Sequence, residues 1–170
     1  MCKFNAKQFK MKYLFFLSII FFIISCENKV ETFTPTIHLK DILKNEKFKK
    51  PYYELKIHHP SLAHRMEHEE YFKNFVNEVS NDDLISLSEC EYPTQRCLAF
   101  KALVEKNYPK IRTILLRHKN DLDTIVVNSK CMSVTMTVKT YMLEQLGPYQ
   151  NSKYRFNKIE FKKMQEDFTK

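Results

Sequence analysis

The sequence predicts a mainly α-helical protein built as a small antiparallel bundle, and three observations carry that expectation. A single glycine, Gly147, among 170 residues leaves little material for turns that need positive φ, which disfavours tight hairpins and favours helices joined by Pro and Asn turns. Pro60, Pro93 and Pro109 each precede a stretch with apolar side chains three and four residues apart, and the first turn is where a helix tolerates proline. Ser80-Asn81-Asp82 supplies N-cap chemistry, and Gly147-Pro148 is a helix stop in the usual order. The same glycine count excludes a dinucleotide fingerprint, a Walker A loop and a nucleophile elbow, each of which needs two or more glycines.

Taken in chain order, the first element is a leader. Lys3, Lys7, Lys10 and Lys12 precede an apolar run from Tyr13 to Ile24 that only Ser18 interrupts. That run is too short for a spanning helix of roughly 20 residues and suits the apolar core of a signal peptide. Met11 is an alternative start. Ile23-Ile24-Ser25-Cys26 resembles the lipobox of bacterial lipoproteins: a branched apolar residue, a tolerant position, a small residue and the cysteine. The resemblance implies that residues 1–25 are a lipoprotein signal peptide, cut before Cys26, whose sulfur takes a diacylglyceryl group. A cell-envelope protein anchored to a bacterial membrane follows as the expectation. Two or more acyl chains, at about 0.8 kcal/mol per buried CH₂, make such attachment stable without a membrane-spanning helix.

Past Cys26 remain 144 residues, enough for one domain and too few for two comfortable ones. The charge of +8 is inflated by the leader, which holds four lysines and no acid. Beyond it 24 basic residues face 20 acidic ones, too mild a surplus to imply nucleic acid. No small-molecule substrate is indicated.

Residues 26–36 read as the lipidated cysteine and a tether, polar, aperiodic and containing Pro35. Residues 37–170 read as a single helical domain. Within it, Ile37 to Phe48 is weakly helical and the lysines before Pro51 mark a turn. Tyr52 to Ile57 is short and aromatic, and the sequence does not settle its state. Pro60 opens a helix to about Val79 through Phe72, Phe75 and Val76, and the Ser80 cap opens a shorter one with Leu84, Ile85 and Leu87. Pro93 opens a third that ends near Asn107, and Pro109 a fourth with Ile111, Ile114, Leu115 and His118 on one stripe. Asn120 to Lys130 is expected as a loop. Val134, Val138, Tyr141 and Met142 mark a fifth helix ending at Gly147, and Tyr154 to Phe168 adds an amphipathic turn or two.

Cys90, Cys97 and Cys131 are an odd set. One bridge, Cys97 to Cys131 or Cys90 to Cys97, is compatible with an exported protein, and so are three buried thiols. Nothing local suggests thiol activation.

Pro93 to Leu103 carries Arg96, Ala99, Ala102 and Leu103 and resembles the second helix of a bacterial HEAT-type repeat, Arg-x-x-Ala-x-x-Ala-Leu. Leu115 to Asp121 resembles the close of such a unit, with Asp121 capping the turn into the next helix and Ile125 at the next apolar position. The resemblance implies a short HEAT-like α-solenoid in which the alanines let helices approach, Leu103 fills the seam and Arg96 ties a loop carboxylate. It also implies a surface for gripping a partner in place of a catalytic site. At most one and a half units are visible, whereas solenoids need about three.

His64-Arg65-Met66-Glu67-His68 has the spacing of inverted zinc metallopeptidases. On a helix His64 and His68 fall one turn apart, and Glu67 stands where it would polarise a zinc-bound water. The expected function is therefore a lipid-anchored, non-catalytic protein-binding or assembly module without a cofactor, contacting an envelope partner through aromatics such as Tyr52, Tyr53 and Tyr71. The alternative is a zinc-binding or zinc-dependent hydrolytic lipoprotein built on His64, Glu67 and His68.

Overall fold

The computed structural model describes residues 32–58, 70–129 and 132–169. The leader, Cys26, most of the tether, the segment holding His64, Glu67 and His68, and Cys131 lie outside the described residues. The protein is mainly helical, with one two-stranded sheet among the described residues. The described residues form one compact unit.

Its elements are α1 (Leu39–Ile42), α2 (Glu46–His58), α3 (Glu70–Glu78), α4 (Asn81–Ser88), α5 (Pro93–Glu105), α6 (Ile111–Arg117), β1 (Thr124–Ser129), β2 (Met132–Thr137), α7 (Val138–Gln145) and α8 (Lys158–Thr169). Helix α2 runs unbroken through Pro51, where a turn was expected. Proline removes one helical hydrogen bond and costs about 3 kcal/mol. Against that, Phe48, Tyr52 and Leu55, at helical spacing, are all buried, each contributing about 1.5–3 kcal/mol. Phe48 stacks on Tyr52 at 5.4 Å and meets Phe75 of α3 edge-on at 6.2 Å. Packing therefore outweighs the local break.

Helices α4 and α5 pack against each other. Ser80 Oγ accepts the Asp83 amide at 3.1 Å to start α4, and Pro93 stands at the start of α5. From Arg96 to Val104 every residue of α5 is buried, which makes it the central helix with neighbours on all sides. It ends as the sequence indicates. Asn107 takes φ 51°, and the Asn107 and Tyr108 amides donate back to the Val104 and Leu103 carbonyls, both at 3.0 Å, which is a Schellman close. The α6 stripe is buried as expected, with Ile111, Ile114, Leu115 and His118 inside.

The region after Asp121 departs from expectation. Thr124–Ser129 and Met132–Thr137 are antiparallel strands, with Ile125 opposite Met136 and Val127 opposite Val134, not a loop followed by helix. Val134 is therefore a strand residue, and α7 begins at Val138, capped by Thr137. Thr124, Ile125, Val126, Val127, Val134, Thr135 and Thr137 are β-branched and suit a pleated, half-buried surface. The pairing needs no glycine in its strands. Ile125, buried, and Met136, partly buried, plant the base of the hairpin against the core. Helix α7 then closes with the Gly147 amide donating to the Glu144 carbonyl at 3.0 Å.

Candidate functional site

Arg96 leaves α5 inward and is 0% exposed, so its charge must be met in place. Asp121 meets it side-on: Nε donates to Oδ2 and Nη2 to Oδ1, each at 2.9 Å. Nη1 donates to the Cys90 carbonyl at 3.0 Å, and Nη2 also reaches Asp123 Oδ2 at 2.6 Å. Burial works against the guanidinium charge, but the bonds to Asp121 and Asp123 outweigh it and hold the Arg96 pKa up. The arginine and aspartate that the repeat resemblance singled out are thus brought together. Asp121 does not cap a following helix, because the chain continues into β1.

His118 completes the cluster from the end of α6, its Nδ1 3.0 Å from Asp121 Oδ2. An ionised carboxylate only accepts, so Nδ1 carries the proton of this bond. The other ring nitrogen, Nε2, is buried with no hydrogen-bond partner among the described residues. The far face of the cluster is closed by Phe33, whose ring centroid lies 4.3 Å from that of His118 and 4.8 Å from Arg96 Cζ. The Phe33 amide donates to the Asn120 carbonyl at 3.3 Å.

Residues 33–39, the end of the expected tether and the start of α1, are laid along this side of the domain. The Thr36 and Ile37 amides both donate to the Glu89 carbonyl, at 3.1 and 3.3 Å, Ile37 bridges Cys90 in parallel, and the Leu39 amide donates to Glu91 Oε2 at 2.8 Å. Glu89 in turn stands 2.9 Å from Arg117 Nη1. The segment is a clasp over Arg96, and its anchoring residue is an aromatic.

The chain matches no family model, no curated protein and no solved structure.

Chemically, the cluster is a lock. Its carboxylates and guanidinium are spent on one another, and the neighbouring thiols are held protonated: burial pushes Cys90 up to about 11 and Cys97 higher still. Both are free and buried, so neither is bridged to the other. Ala99, Ala102 and Leu103 are fully buried core residues of α5, placed where close helix packing needs small side chains. Among the described residues no three His, Cys, Asp or Glu side chains gather as a metal site, and no helix is long and apolar enough to cross a membrane.

Of the aromatics expected as contacts, Tyr52 is a core residue, while Tyr53 and Tyr71 are 42% and 41% exposed. Exposed apolar side chains that were not anticipated stand on the hairpin, where Val126 and Val134 are about half exposed on its two faces, and at Leu116 and Leu122 to either side of Asn120. The β-branched run Thr124 to Val127 was the available signal for the strand. Phe33, an aromatic in a polar stretch, was the signal for the clasp.

Proposed function

We propose that the chain is a lipid-anchored protein of the bacterial cell envelope whose HEAT-like helical domain serves as a binding or assembly module for another envelope protein, with no catalytic role. The observation that carries the binding reading is the β1–β2 hairpin. Its base is planted in the core, Val126 and Val134 stand exposed near mid-hairpin on its two faces, and no third strand pairs with either edge among the described residues. Such an edge suits an extended segment of a partner, held by main-chain hydrogen bonds and by alternate side chains in register.

The anchoring reading rests on Ile23-Ile24-Ser25-Cys26, and the clasp is compatible with it. From Cys26 to Phe33 is seven residues, a reach of at most about 25 Å at roughly 3.5 Å per residue. A domain clasped at Phe33 works close to the bilayer surface. Affinity capture from membranes compares the native chain with Val126→Glu/Val134→Glu and with Cys26→Ser. A protein partner recovered with the native chain and lost with the hairpin variant is the expected result. Equal recovery with the hairpin variant contradicts the assignment of the surface, and a Cys26→Ser form that stays with the membrane fraction contradicts the anchor.

A further inference from the structure

A second gathering of polar side chains lies away from the clasp, where the chain between α7 and α8 folds back on the start of α8. An open groove there, about 600 Å³ in volume, is lined by Ser152, Lys153, Arg155, Asn157, Lys158 and Glu160, among others. That volume is in the range of small-molecule sites. An account of its polar groups decides what it can hold.

Most of its acceptors are already used. Asn157 Oδ1 takes the Ile159 and Glu160 amides at 3.0 and 2.9 Å, and Glu160 Oε2 takes the Asn157 amide at 3.0 Å. Glu160 also faces Arg112 at 3.7 Å. The carbonyls of Tyr154 and Arg155 are taken by Arg112, and that of Ser152 by the Arg155 amide. The donors are not used in this way. Ser152 is 3% exposed, and its oxygen accepts the Tyr154 amide at 3.2 Å while its proton meets no acceptor among the described residues. Among the described residues the Lys153 and Lys158 ammonium groups lie over the Tyr154 and Tyr149 rings, at 5.7 and 5.6 Å, and Arg155 makes one long bond of 3.4 Å to the Gln150 carbonyl. Among the described residues no carboxylate pairs with any of these three cations.

We propose that this cleft binds a phosphate group, as a soluble phosphomonoester or in the headgroup of an anionic lipid. A phosphate offers several acceptor oxygens and negative charge, which is what three cations and a buried hydroxyl lack, and charge-assisted bonds to it are the stronger kind. The site is separate from the hairpin and does not depend on the assembly reading.

The test is calorimetric titration of the full-length chain in neutral detergent with inorganic phosphate, and separately with dihexanoyl phosphatidylglycerol, dihexanoyl phosphatidylcholine serving as the control. Saturable binding is expected, weakened at least about tenfold in Lys153→Gln/Lys158→Gln and weakened also in Ser152→Ala, which leaves the charge unchanged. Both lysines are exposed, so the charge variant should keep the native melting temperature. Tighter binding of the phosphatidylglycerol than of inorganic phosphate assigns the headgroup, and the reverse assigns a soluble phosphate ester. Absence of saturable binding to both probes, or equal binding by the charge variant, overturns the proposal.

Discussion

Arg96 is the residue on which most of the domain's polar order converges, because one guanidinium orients Asp121, Asp123 and the Cys90 carbonyl at once. Removing one partner of a buried ion pair strands the other in a low dielectric and costs about 3–5 kcal/mol. Arg96→Met should therefore lower the stability read from urea denaturation by that amount. Arg96→Met combined with Asp121→Leu should lose less, since no buried charge is left unpaired and Asp123, the other partner, is 56% exposed. The thiols give a second prediction. Cys90, ordinarily near 9.0, titrates at about 11 in the folded chain, so the unfolded chain releases its proton first as pH rises. Its contribution to stability is therefore unchanged below pH 9 and declines between pH 9 and about 11. Alkylation at neutral pH should label Cys90 and Cys97 only after denaturation, and prompt labelling of either in the native protein would contradict their burial. Phe33 belongs to this scale as well. Phe33→Ala should destabilise the domain by about 1–3 kcal/mol through lost burial and lost stacking on Arg96, and should expose residues 32–37 to protease before the core opens.

At the scale of elements, the helices that begin with a proline or a serine cap were legible because their start signals are local. Ser80, Pro93 and Pro109 stand at or near real helix starts, and α5 ends at Glu105, two residues before the Asn107 that marks its close. Two elements were not legible, each for a definite reason. Helix α2 was obscured by Pro51, whose local cost is met by tertiary burial of Phe48, Tyr52 and Leu55 that no window of sequence displays. The hairpin was obscured by the scarcity of glycine, which argued against tight turns although β-branched residues in both strands argued for it. Val134 satisfies a helical spacing to Val138 and Tyr141, and that coincidence drew it to the wrong element. Of the Arg96 cluster, only Arg96 and Asp121 carried a signal, through the repeat pattern. His118 was placed on a buried stripe, with nothing local to pair it with Asp121. Central placement of α5 makes a further prediction. Ala102→Leu forces a larger side chain between packed helices and should cost about 1–3 kcal/mol, whereas Val126→Glu, on the exposed hairpin face, should change stability by no more than about 0.5 kcal/mol. Thermal melts of the two variants separate the helix that holds the fold from the strand offered to a partner.

For the whole molecule, the arrangement separates tasks along the chain. The clasp at residues 33–39 and the Arg96 cluster lock the helices, and on the function proposed above a leader and Cys26 would supply the address while the hairpin would meet a partner. On that proposal the order matters physically, because a domain clasped near a lipid anchor would search a thin layer above the bilayer and meet partners there at raised effective concentration. The most direct test of this account is the intact mass of the chain extracted from bacterial membranes. The account predicts a protein beginning at Cys26 with a diacylglyceryl thioether on that sulfur. A chain that keeps residues 1–25 with an unmodified Cys26 thiol would contradict it.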